Sequence, residues 1–235
     1  GFGEGMAEAY VREGAKVLIA DLNAEAGERV AKALGASAKA VATDVANADS
    51  VNAMVKACVD AFGTPDIVIN NAGTTHKNQP MLQVDEKTFD RMFAVNVKSI
   101  YYMAHAVIPL MRARGKGGVI INVGSTAGIR PRPGLSWYNG SKGAVNLLSK
   151  AMAVELAPDK IRVNALCPVM GATGLLGDFM GVPDTPENRA KFVSTIPLGR
   201  FCEPRDMAAA AVFLGTDAAE FLTGLEFPVD GGRTI

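Results

Sequence analysis

Three polar side chains with the means to move a proton fall inside the stretch INVGSTAGIRPRPGLSWYNGSK. Tyr138 and Lys142 stand four residues apart, and Ser125 lies thirteen residues before the tyrosine. On a helix, positions i and i+4 share one face, so the phenol and the ammonium would point into the same pocket. A free phenol has a pKa of about 10, too high for easy proton exchange at neutral pH. A fixed cation beside it stabilises the phenolate and is expected to lower that value. Such a tyrosine can serve as a general acid or base. A serine hydroxyl reaching the same substrate oxygen could hold a carbonyl or alkoxide in place. A tyrosine and lysine at this spacing are common by chance, so the weight falls on the elements that must position them.

Those elements follow a strand-then-helix rhythm. Val17 to Asp21 is a short apolar run ending in an acid, and Ala24 to Leu34 has helical character up to Gly35. Ala38 to Val45 reads as a strand, followed by a helix from about Ser50 to Phe62 that ends at Gly63. Asp66 to Gly73 is a buried strand running into a polar turn. A long helix is expected from roughly Phe89 to Arg114, then a strand over Gly117 to Ser125. The tyrosine–lysine helix should run from about Trp137 to Leu156, with strands over Ile161 to Pro168 and near Leu225 to Val229. Near-continuous Val/Ile/Leu strands between helices argue for a parallel sheet covered on both faces. The expected fold class is therefore α/β, a doubly wound Rossmann-type sheet in one domain spanning residues 1–235. In such folds ligands sit beyond the carboxyl ends of the strands. Asp21, Asp44, the Asn70–Gly73 turn, Ser125 and Pro168 all follow expected strands, so one architecture accounts for five polar turns.

Composition narrows the class of function. The chain has 235 residues, 49% hydrophobic and 20% charged, which suits a compact globule with a sizeable core. Lys+Arg and Asp+Glu are equal at 24 each, so no excess charge marks a nucleic-acid or membrane surface as partner. Cys58, Cys167 and Cys202 are odd in number and scattered, forming neither a metal spacing nor a disulfide framework. A reducing, cytoplasmic setting is the simpler reading. No apolar run approaches a transmembrane length. The chain opens on Gly1, inside what reads as a glycine-rich turn, and a strand is expected ahead of that turn.

A dinucleotide would explain the turns before Ser125. Gly1-Phe2-Gly3 opens a helix whose amides could approach a pyrophosphate at its positive end. Asp21, eighteen residues after Gly3, could accept hydrogen bonds from both ribose hydroxyls of NAD. It would repel the 2′-phosphate of NADP, and the next residues, Leu22, Asn23 and Ala24, offer no cation to offset this. Asp44 could accept from an adenine amine or be a turn carboxylate, and both readings stay open. Asn70-Asn71-Ala72-Gly73 would let backbone approach a ribose, and Asn70 could equally pin neighbouring strands.

Together, in this order, these pieces resemble the short-chain dehydrogenase/reductase family of the common single-domain type. The resemblance rests on Gly1-Phe2-Gly3, Asp44, Asn70 to Gly73, Asn96, Ser125, Tyr138, Lys142, and Pro168 with Thr173, and it covers essentially the whole chain. It implies a seven-stranded parallel sheet and a homotetramer built on the two long helices. It also implies roles. Tyr138 would exchange a proton with the substrate oxygen, Lys142 would bind the nicotinamide ribose and lower the tyrosine pKa, and Ser125 would polarise the carbonyl. Asn96 would hold a water in a proton relay ending at Lys142. Asp21, Leu22, Asp44, Val45, Asn71, Ala72, Gly73, Pro168, Val169 and Thr173 would border the cofactor. One departure is Val169, where the family usually has glycine beside the nicotinamide. The leading part of the glycine turn has no counterpart here.

The substrate side is less legible. Residues 170–197 correspond to the family's lid, and Leu175, Leu176, Phe179, Met180 and Val182 suggest an apolar cover. Arg130 and Arg132 could meet a carboxylate, though solvated loop charges are the simpler account. His76 reads as a solvated loop residue, His105 as packed at a helix interface, and Trp137 as a pocket or subunit contact. No metal is assigned. The leading expectation is an NAD(H)-dependent enzyme interconverting a secondary alcohol and a ketone. The alternatives are an NADPH-dependent 3-oxoacyl carrier-protein reductase and a non-catalytic dinucleotide-binding scaffold.

Overall fold

The computed structural model describes residues 1–172 and 174–235. Thr173 lies outside the described residues. The chain begins with helix α1 (Phe2–Arg12), then β1 (Val17–Asp21), α2 (Ala24–Leu34), β2 (Ala38–Ala42), α3 (Ala48–Phe62) and β3 (Ile67–Asn70). Next come α4 (Glu86–Phe93), a π-helical turn (Ala94–Lys98), α5 (Ser99–Arg114), β4 (Gly118–Val123) and α6 (Ser136–Leu156). The last part holds β5 (Ile161–Pro168), α7 (Leu176–Met180), α8 (Pro186–Val193), α9 (Pro204–Gly215) and β6 (Glu226–Val229).

All strand pairs are parallel. They form two sheets, β1–β2 and β3–β4–β5–β6, so the described residues hold six strands rather than one sheet of seven. β1 and β3 are not hydrogen-bonded to each other, and Leu18, Ile19, Val68 and Ile69 line a cavity that runs between them.

The period of two along β4 sorts the core into two layers. Val119, Ile121 and Val123 pack with Met6 of α1 and with Met207, Ala211 and Leu214 of α9. Ile120 points the other way, into Val51 and Met54 of α3, Val107 and Met111 of α5, and Ala153 and Leu156 of α6. Helices therefore cover both faces of the sheet, which is why the central strands carry no polar face. The helix starts are set locally. Asn23, Asn47 and Asp85 each accept a hydrogen bond from the amide three residues on, at 3.0, 2.9 and 2.8 Å.

Two element boundaries differ most from the sequence expectation. β2 ends at Ala42 instead of Val45, because the chain turns there: the Asp44 carboxylate accepts from the Ala46 amide at 2.9 Å and the Asp44 amide donates to Ser50 Oγ at 3.0 Å. The single long helix expected over 89–114 starts at Glu86, behind its Asp85 cap, and is interrupted by the π turn. Among the described residues no helix is long and apolar enough to cross a membrane, and no group of three or more His, Cys, Asp or Glu is placed to hold a metal ion.

Candidate active site

The carboxyl ends of β3, β4 and β5 open into one cavity of about 1380 Å³, continuous with the space between β1 and β3. Ser125 stands just past the end of β4. Tyr138, Lys142 and Asn146 follow one another at i, i+4 and i+8 along α6, so all three face the sheet, and all are buried. Asn146 fixes the serine turn: its Nδ2 donates to the Ser125 carbonyl at 3.4 Å, and its Oδ1 accepts from Cys167 Sγ at 3.5 Å. This fit requires glycine. A Cβ on Gly124 would overlap Asn146 Oδ1, and one on Gly128 would come within 2.8 Å of the Gly143 amide nitrogen. The Ser125 hydroxyl accepts from the Ala127 amide at 3.0 Å, which fixes its rotamer toward the cavity it lines.

Burial dominates the electrostatics of the pair. The Tyr138 phenol is pushed up to about 12 by desolvation, while the neighbouring Ser125 hydroxyl works in the opposite direction. Lys142 is pushed down to about 8, also by desolvation. The expected lowering of the tyrosine pKa by the lysine is therefore not what this arrangement gives. The ammonium is spent on the Val123 carbonyl, to which Nζ donates at 2.8 Å, and removal of both groups from water opposes charge on each.

Asn96 sits in the π turn and is buried. Single π turns inside helices are frequent at functional sites. Its Oδ1 accepts from the Thr74 amide at 2.8 Å, and its Nδ2 donates to the Thr74 carbonyl at 2.9 Å and to Ser141 Oγ at 3.0 Å. The carboxamide thus clamps the turn after β3, with both amide hydrogens engaged. A Cβ on Gly73 would lie 3.4 Å from Lys142 Nζ and 3.5 Å from Asn96 Oδ1, so this glycine is where the turn meets both side chains.

Gly1, Phe2, Gly3, Asp21, Leu22, Val45, Asn71, Ala72, Gly73, Pro168 and Val169 line the same cavity, together with Ser125, Tyr138 and Lys142. The residues fit a dinucleotide. A Cβ on Gly3 would come within 2.8 Å of Asn71 Nδ2, so glycine keeps the start of α1 clear of that side chain. Asp21 is exposed at the end of β1, and one of its oxygens accepts from the Asn23 amide at 2.8 Å. Asp44 does not line the cavity, and its carboxylate serves the turn after β2. Asn70 is tied across the sheet, its Nδ2 donating to Asn122 Oδ1 at 2.8 Å.

A family model described as Enoyl-(Acyl carrier protein) reductase matches residues 1–234. The chain belongs to the short-chain dehydrogenase/reductase family. Family members use NAD(P), and this one is an oxidoreductase acting on CH–OH groups. It is 48% identical to the 4-formylbenzenesulfonate dehydrogenase of Comamonas testosteroni over 243 residues, 100% of this chain and 94% of that protein. It is 35% identical to the sorbitol dehydrogenase of Cereibacter sphaeroides, over 99% of this chain and 93% of that protein. A crystal structure of 3-ketoacyl-(acyl-carrier-protein) reductase from Brucella melitensis complexed with NADH matches with a TM-score of 0.94 and 47% identity. That match covers 100% of this chain and 94% of the neighbour.

Around this short-chain dehydrogenase/reductase site, several side chains stand elsewhere than their sequence suggested. His76 is buried rather than solvated, with Nδ1 2.9 Å from the Lys77 carbonyl, because the loop after β3 folds under the lid. His105 is exposed on α5, its ring 4.3 Å from that of Tyr101. Trp137 packs edge-on to Phe89 and donates to the Met81 carbonyl at 3.0 Å. In the lid, Leu176 and Met180 are buried, and Phe179 meets the Tyr138 ring at 5.0 Å. Asn146 escaped the sequence reading, although its i+8 position behind Tyr138 marks it as facing the same way.

The shifts set a pH signature. Between about 8 and 10.5 the unfolded chain keeps a proton on Lys142 that the folded chain has released, so stability contributed by this group rises with pH. Between 10 and about 12 the folded chain keeps the Tyr138 proton that the unfolded chain has lost, so stability falls. Urea midpoints of the wild type should climb relative to those of Lys142→Met as pH rises from about 8. A constant gap between the two proteins across that window would count against a desolvated ammonium.

Proposed function

We propose that this protein is an NAD(H)-dependent dehydrogenase that interconverts a secondary alcohol and a ketone. The observation that carries the reading is the convergence of Ser125, Tyr138 and Lys142 in a cavity shared with the glycine turn at Gly1–Gly3. A bound nicotinamide supplies or accepts the hydride. The chain's own residues handle the proton and the geometry. Tyr138, held protonated by burial, gives its proton to the carbonyl oxygen in reduction and takes the hydroxyl proton in oxidation. Ser125 orients that oxygen from the end of β4. Lys142, brought close to neutral pH by desolvation, can exchange a proton near working pH and carries the positive charge that stabilises a transient phenolate. Asn96 holds the Gly73–Thr74 turn against the lysine.

The preference for NAD follows from Asp21. Its exposed carboxylate has an oxygen to offer a ribose hydroxyl and would repel a 2′-phosphate. Arg29, on α2 beside the same cavity, is already bridged to Glu4 at 2.9 Å. The crystal structure similar to this chain was complexed with NADH, which agrees with that preference. Its description keeps 3-oxoacyl thioester reduction as the second reading, and Asp21 argues against the NADPH form of that activity. A homotetramer is proposed on the outer faces of α5 and α6, where Tyr101, Leu147 and Val154 stand exposed at 57%, 68% and 81%.

Three measurements test these statements. Tyr138→Phe should lower kcat by at least about 10²-fold while NADH binding stays unchanged, because only the proton-transfer group is lost. Retained turnover would remove Tyr138 from the mechanism. Asp21→Ser should raise kcat/KM with NADP relative to NAD by about tenfold or more, given the size of a charge-assisted hydrogen bond. A wild type that already prefers NADPH contradicts the role of Asp21. Light scattering on the eluted protein should give four times the chain mass, and a monomer would leave the α5 and α6 faces unexplained.

A further inference from the structure

The loop between Ser125 and Tyr138 carries Arg130-Pro131-Arg132-Pro133-Gly134. Proline on each side of Arg132 restricts its backbone. Three successive carbonyls of this loop are then fastened. Arg132 O accepts from Asn139 Nδ2 at 2.8 Å, Pro133 O from Asn78 Nδ2 at 3.2 Å, and Gly134 O from the Gln79 amide at 3.0 Å. Asn139 follows Tyr138 directly, so Arg132 is tied to the first turn of the tyrosine helix.

The side chain stacks on an aromatic ring of the lid. The Arg132 guanidinium carbon stands 4.8 Å from the centre of the Phe192 ring, on α8. It is half-buried, and it lines the same cavity as Tyr138, Phe179 and Arg233. Among the described residues no carboxylate stands within ion-pair distance of Arg132 or Arg233. Burial and the like charge of Arg233 both push the Arg132 pKa down. Arg132 and Arg233 thus line one cavity, and the burial of Arg132 costs desolvation energy. The stacked ring offsets only part of that cost.

We infer that the substrate carries a terminal oxyanion, a carboxylate or sulfonate, bound by Arg132 with Arg233, and an apolar body lying between Phe179 and Phe192. This rests on the reading in which Tyr138 acts on an alcohol or carbonyl oxygen at the other end of the same molecule. The planar guanidinium fork matches either oxyanion with two parallel hydrogen bonds. The rigid loop sets the distance from the anion to Tyr138, so Arg132 acts as a ruler for substrate length as well as a charge selector.

Binding tests the inference without turnover. The NADH-saturated enzyme is titrated in a calorimeter with 4-acetylbenzoate, 4-acetylbenzenesulfonate and uncharged 4-acetylbenzamide. At least one anion should bind about tenfold or more tighter than the amide, the ratio expected for one charge-assisted hydrogen bond to a buried partner. Arg132→Leu should bring that anion to the level of the amide and leave the NADH Kd in place, and Arg132→Lys should restore part of the preference. Equal binding of all three probes, or of none, overturns the inference in the wild type alone, whatever the variants do. An anion preference that survives Arg132→Leu overturns the assignment to Arg132, and a large rise in NADH Kd assigns the arginine to the cofactor instead. Because no hydride moves in this assay, failure of the Tyr138 role in the turnover experiment leaves its outcome unaffected.

Discussion

Everything at the site hangs on a buried ammonium. Lys142 is nearly excluded from water, and the hydrogen bond that holds it runs to the Val123 carbonyl, at the last residue of β4. That bond fixes α6 against the end of the central strand. It also sets how closely the helix must lie against the neighbouring turns, and the glycines follow from it. Gly73 leaves room beside the ammonium, while Gly124 and Gly128 let the serine turn rest on α6 with Asn146 between. A buried charge with so few partners is costly on stability grounds. Its presence in the cavity fits a group kept for proton exchange rather than for folding.

The two core layers explain why this arrangement can be rigid. β4 and β5 carry buried side chains on both faces, and α5 and α6 cover one of those faces while α1 and α9 cover the other. Residues beyond the strand ends inherit that rigidity. The lid is different: its short helices meet the body through Phe179 on Tyr138 and Phe192 under Arg132. Ser125, Tyr138 and Lys142 are thus carried by the sheet and its covering helix, while Phe179, Phe192 and Arg132 stand on loops and short helices that can change without disturbing it.

Much of this is legible in the amino-acid sequence. Val17–Asp21 came out residue for residue because a short apolar run ending in an acid, ahead of a capped helix, admits little else. The Tyr138–Lys142 pair and Ser125 were placed correctly because helix periodicity and strand ends fix direction. What stayed hidden depended on contacts distant in sequence. No residue type in Ala94–Lys98 marks the π turn, so 89–114 reads as one helix. Asp44 carried the same residue type whether it faced a ligand or a turn, and only its bond to the Ala46 amide decides. His76 and Arg132 looked like loop residues in solvent, and only the folding of the lid over them puts one under cover and the other against an aromatic ring. The Tyr138 pKa shifts opposite to the expectation because burial, which a sequence does not display, outweighs the lowering by the Ser125 hydroxyl.

The π turn also constrains how this chain can vary in length. Each residue of an α-helix advances about 100° around the axis. Removing one residue from Ala94–Lys98 would turn the whole of α5 by that angle relative to α4. Val107 and Met111 would leave the core, and Tyr101 and His105 would swing toward it. The same extra residue that presents Asn96 to Thr74 therefore keeps the two faces of α5 in register with the sheet on one side and the exposed surface on the other. Insertions and deletions within this segment are disfavoured on both counts, so length changes between β3 and β4 are best absorbed in the loops that flank it, before Asp85 or after Arg114.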